Sequence, residues 1–179
     1  MDQSAVKLED RAAALSAFDR FRDGFEAAYR PIPDDALRFA PQGEDYTLGG
    51  LVVHVTDTIE HYGRVLGEIE RAGYAQVRVV DPEDETKLRR EKQIRDGFAG
   101  PERAGVFAEL RAAHDVVADM VRRLPADDYL RQAPVLYGPD TNDPYQTRAA
   151  DVMGWLIDHY REHITQAADL HVHWKAAQS

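Results

Sequence analysis

The chain has 179 residues, and 22 Lys and Arg stand against 32 Asp and Glu, a net charge of −10 with a pI near 5.1. That balance speaks against nucleic acid, whose phosphates need a basic face, and against an anionic membrane surface. With no cysteine, disulfides, thiolate metal ligands, iron–sulfur clusters and cysteine nucleophiles are excluded together.

Four long helical patterns are expected, separated by three long connections. The first runs from Ala5 to Tyr29, where Leu15, Phe18, Phe21, Phe25 and Tyr29 recur at helical spacing and Pro31 and Pro33 end the run. The second starts after Thr47 as N-cap, continues through Leu51, Val55, Thr58, Tyr62, Val65 and Ile69, and stops at Gly73. The third opens at Gly100 and Pro101, carries Val106, Leu110, Val117, Val121 and Leu124, and closes at Pro125. The fourth begins near Gln146, with Val152, Trp155, Leu156, Leu170 and Trp174 on its apolar side. The connections, about Arg30–Tyr46, Gly73–Gly100 and Pro125–Tyr145, exceed the few residues usual between antiparallel neighbours. They allow crossovers, so the second and third helices are expected to run parallel. Glu83–Arg95 reads as a short surface helix, while Val77–Val80 and Pro134–Tyr137 read as extended segments too short and isolated to make a sheet domain. The whole chain, 1–179, is read as one all-α domain. No apolar run is long enough to span a membrane, and Met1–Ser4 lack the basic start of a signal peptide, so the cytoplasm is the default location.

Histidine placement carries the chemistry. His159 and His163 are four apart, on the face of the fourth helix that carries Val152, Trp155, Leu156 and Leu170. His54 shares a face of the second helix with Leu51, Thr58, Val65 and Ile69. A buried imidazole left without a partner costs about 1–3 kcal/mol. Three on core faces of two helices ask for one explanation, and a divalent metal supplies it. A lone core histidine is more often a packing residue, so the argument rests on the trio. His61, seven residues after His54, is read as a rim residue, with a fourth-ligand or ligand-orienting role as the alternative. His114 is read as structural, and His171 and His173 as surface residues near a fraying end. Asp57, three residues after His54, is the candidate proton acceptor or ligand-orienting group, against the plainer reading of a solvated carboxylate. Tyr62 and Tyr160 either border the site or pack. His159–His163 also matches the H-x-x-E-H pattern of a metalloprotease, with Glu162 as base, but only 16 residues follow His163, too few for the larger domain such enzymes need. No histidine has Glu three residues before it, which excludes the di-iron bundle motif, and there is no Walker, Rossmann or G-x-S-x-G motif.

The sequence resembles the DinB/YfiT superfamily of metal-binding four-helix bundles. The resemblance is carried by Ile32–Asp34, Tyr46–Leu48 and Leu51–Asp57, and again by 147–166, with His54 on the second helix and the His159/His163 pair followed by Gln166 on the fourth. It implies an up-down-down-up four-helix bundle with long crossovers. It also implies nickel or zinc on His54, His159 and His163 with positions left for water or substrate, and a homodimer. Relatives include thiol-dependent transferases and isomerases that use a low-molecular-weight thiol. The expected function is therefore a metal-dependent S-transferase, isomerase or hydrolase acting on a small molecule. The alternative is a non-catalytic bundle that binds a small molecule or partner. The wide apolar arc of the first helix (Leu15, Phe18, Phe21, Phe25) is consistent with a dimer face. Free imidazole titrates near pH 6.5, so metal occupancy is expected to fall below about pH 6.

Overall fold

The computed structural model describes residues 6–178, which leaves Ala5 outside the described residues. Helix α1 is Arg11–Tyr29; the Asp10 side chain accepts from the Ala12 and Ala13 amides and fixes its start. Helix α2 is Leu48–Arg71, capped as expected by Thr47, whose Oγ1 accepts from Gly50 N at 2.8 Å. A charged helix, α3, occupies Glu85–Asp96, close to its expected place. After a 3-10 turn at Gly100–Glu102, helix α4 runs Arg103–Arg123. Helix α5 is Ala149–Ala177, the longest at 29 residues.

The protein is mostly helical, built on four long helices. One core joins them, with Phe18, Phe25 and Tyr29 from α1, Leu51 and Ile59 from α2, Leu110 from α4, and Met153 and Tyr160 from α5. Helix α1 lies on α5, with the Phe18 and Tyr160 rings 5.7 Å apart and Gly24 beside Ile164. Helix α2 lies on α4, Gly63 meeting Val117 and Gly67 meeting Met120. It also lies on α5, where Tyr62 and Trp155 are 5.4 Å apart.

The extended segments are not isolated. Strand β1 (Val77–Val79) pairs in parallel with β2 (Ala133–Tyr137), and β2 pairs antiparallel with β3 (Tyr145–Thr147). The expected beginning of the last helix near Gln146 is therefore strand, and α5 starts only after Arg148. The reason is packing. Val77, Val79, Ala133 and Val135 form a small second core with Val65 and Ile69 of α2, so a sheet too short to stand alone is held by a helix. It clips two of the three long connections together.

Candidate metal centre

His54 stands in the second turn of α2, and His159 and His163 stand one turn apart in the middle of α5. Packing α2 on α5 brings the three rings together. Ring centroids lie 4.9 Å (His54–His159), 5.1 Å (His54–His163) and 4.3 Å (His159–His163) apart. One nitrogen from each ring falls within 4.8 Å of the others. His163 is buried and the other two are half-buried. The Nε2 atoms of His159 and His163 are shut off from solvent without a hydrogen-bond partner. Among the described residues only two other side-chain atoms share that condition, so the pair is not an ordinary packing outcome.

Protonation is suppressed throughout the trio. Burial, reinforced by the His163 imidazole and opposed by Asp57, pushes His54 down to about 4. Burial and the two neighbouring rings push His159 down to about 3. His163 is lowered by burial against the opposing pull of Gln166 and Glu162. Near pH 7 all three rings are neutral and offer lone pairs, the state a metal ligand requires. Gln166 Oε1 lies 2.7 Å from His163 Nδ1 and can only accept, so Nδ1 carries the proton and Nε2 the free lone pair. Three neutral imidazoles, two of them with orphaned nitrogens, suit a divalent ion such as zinc or nickel.

The trio lines a cavity of about 590 Å³. The loop ahead of α2 supplies Glu44 and Tyr46 to its wall, and α5 supplies Glu162, Gln166, Asp169 and His173. Tyr46 immediately precedes the cap Thr47, which is tied to the Ile94 carbonyl, and its ring lies 4.6 Å from that of His54. Burial, followed by the negative charges of Asp45 and Glu162, raises the Tyr46 phenol.

The sequence profile of the DinB superfamily matches residues 17–167. The chain belongs to the DinB superfamily. Among solved structures it is similar to YfiT from Bacillus subtilis, at 18% identity and a TM-score of 0.70, over 98% of this chain and 93% of that one. That protein is described as a probable metal-dependent hydrolase with an unusual four-helix bundle topology. Among curated proteins, none matches the chain.

Other residues of this DinB chain stand apart from the cavity wall. Asp57, expected as proton acceptor, does not line it: its Oδ1 accepts from Arg90 Nη1 at 3.2 Å. The Arg90 side chain, 7% exposed, also makes two 2.6 Å hydrogen bonds to Glu60. His61 pairs through Nδ1 with Asp81 at 2.8 Å, and Arg64 binds the same carboxylate. It is not a member of the three-ring group. His114 is structural, stacked on Phe18 at 3.8 Å, with Nε2 on Asp19 and Nδ1 3.3 Å from the Tyr160 hydroxyl. Tyr160 therefore packs away from the trio, and Tyr62 stacks on Trp155. His171 is buried rather than a surface residue, because Ala167 and Leu170 place it on the core face one turn on. His173 is exposed as expected, yet it reaches the cavity. Sequence reasoning missed Glu44, Tyr46 and Asp169 as wall residues. Only Tyr46 left a trace, as the residue preceding the α2 cap.

Proposed function

We propose that this DinB-superfamily chain is a metal-dependent enzyme acting on a small molecule, with nickel or zinc held by His54, His159 and His163. The carrying observation is the pair of buried, unpartnered Nε2 atoms facing a third neutral ring. A divalent ion held there supplies Lewis acidity that makes a nucleophile of water or of an external thiol near neutral pH. The residues of the chain do the rest. Gln166 holds His163 in the tautomer that frees Nε2. Tyr46 covers the His54 ring. Glu162, which lines the cavity, takes the proton-accepting role first given to Asp57, whose Oδ1 Arg90 occupies.

Hydrolysis and thiol transfer or isomerisation draw on the same centre. The description of YfiT favours the first. The second fits a chain without cysteine, where a reactive sulfur arrives as a low-molecular-weight thiol. A cavity of about 590 Å³ suits a small molecule. We read the helix order as up-down-down-up. Contacts advance together along α1 and α5 (Phe18 with Tyr160, Gly24 with Ile164) and along α2 and α4 (Gly63 with Val117, Gly67 with Met120). They run oppositely along α1 and α4, where Asp19 meets His114 and Glu26 meets Arg111.

The test is elemental analysis of tag-free protein beside His54→Ala, His159→Ala and His163→Ala, with turnover in a panel of thiol-conjugation and hydrolysis reactions. Each variant should lose most of its zinc or nickel, and activity should follow the metal. Full retention of metal in all three would sink the site. Stoichiometric metal without turnover would favour the non-catalytic binder.

A further inference from the structure

We infer that the cavity takes a cationic small molecule, one that carries an ammonium or quaternary ammonium group and no free carboxylate. The inference rests on the cavity being the substrate site and names the class of substrate.

Glu44, Glu162 and Asp169 all contribute to the wall, and among the described residues no lysine or arginine does. The Tyr46 ring, 4.6 Å from that of His54, stands on the same wall. The cavity is also a ligand site on separate grounds, because His163, 5% exposed, lines it with an unpartnered Nε2. A divalent ion on three neutral rings would bring two positive charges, which three carboxylates outweigh by one. An anionic group anchored at the trio would leave the wall more negative still, so the remainder of the ligand must be neutral or positive. A substrate with its own carboxylates would meet three more, with no lysine or arginine on the wall to receive them. The Tyr46 ring adds an aromatic face that a cation can approach. The chain as a whole, at −10, attracts cations before they reach the cavity.

The probes are three thiols of closely similar shape. Thiocholine ends in trimethylammonium, 3,3-dimethylbutane-1-thiol ends in tert-butyl, and 2-mercaptoethanesulfonate ends in sulfonate. Binding is measured anaerobically by calorimetry on zinc-loaded and on metal-stripped protein, with zinc content determined on the same samples. Thiocholine should bind tightest and the sulfonate weakest, about threefold to tenfold apart per step, since exposed carboxylates each contribute modestly. The order should narrow at high salt and collapse in Glu162→Gln/Asp169→Asn. If zinc is retained and the sulfonate binds as well as thiocholine, the substrate class is overturned while the metal centre stands. If neither zinc nor, in a parallel loading, nickel is retained, the metal reading fails, and the same three probes on the stripped protein decide the class: a preference for the cation upholds it, and its lack overturns it. Failure of all three to bind zinc-loaded protein at about 10 mM also overturns it.

Discussion

Gln166 donates its NH2 to the exposed Glu44 carboxylate, 3.3 Å away. That leaves Oε1 for His163, which fixes the proton on Nδ1. Gln166→Leu should therefore release the tautomer, giving mixed 15N ring shifts in metal-free protein and roughly tenfold or greater loss of zinc affinity. Unchanged shifts and affinity would show that the amide is idle. Burial also changes the pH expectation. Free imidazole places proton competition near pH 6.5, but His54 and His159 are held down to about 4 and about 3. Metal occupancy should persist through pH 6 and fall only as the pH approaches about 4. In metal-free protein the sign is set by linkage. Between about 6.5 and 4 the unfolded chain takes up protons that folded His54 and His159 refuse, so stability is lost as pH falls through that window. Melting of stripped protein across that range reads it directly, and a flat melting temperature would contradict the burial of these rings.

Helix α2 meets α3 where Gly50 lies against the Ile94 carbonyl; a Cβ there would stand 1.9 Å from that oxygen. Gly50→Ala should destabilise by about 2 kcal/mol or more, since neither backbone can yield without moving the Thr47 cap. Gly105, in α4 with nothing within 4 Å of a built Cβ, is the contrast. Gly105→Ala should stabilise by about 0.5–1 kcal/mol. Urea midpoints measure both, and equal shifts would show that the close approach does not matter. The same elements show what was legible in the sequence. The long helices announce themselves because Leu51, Val55, Val65 and Ile69, or Val106, Leu110, Val117 and Val121, repeat a 3.6-residue period. The histidine trio was legible for the same reason, since each ring shares a stripe with core residues. Strand pairing was not, because the partners of Val77–Val79 lie at Val135–Tyr137, and no local period encodes a pairing across that distance. Nor was the Arg90 ion pair with Glu60 and Asp57, whose members look solvated until α3 folds back on α2.

At the scale of the molecule, the four long helices and three-stranded sheet of short strands among the described residues should give a far-UV spectrum dominated by helix. The apolar arc of α1 is used within the chain: Phe18 and Phe25 are fully buried, and Phe21 lies 5.5 Å beneath the Arg161 guanidinium. The expected homodimer thus rests on family resemblance alone. Light scattering at micromolar concentration should give twice the mass of one chain, and a monomer would remove that proposal. No helix among the described residues is long and apolar enough to cross a membrane.

The turn between β2 and β3 has consequences for taking the protein apart. Residues 139–143 are exposed, and they divide the chain so that His54 lies on one side and His159 and His163 on the other. A cut there separates a fragment that keeps α1, α2 and α4 from one that is essentially α5. Neither piece can assemble the three-nitrogen set alone. The strand edge left on β2 and the groove left between α1 and α2 are both shaped for the missing segment. Added zinc should therefore drive the two fragments back together. The histidine trio would then serve as a reporter of fragment complementation, with metal uptake marking each reassembled bundle.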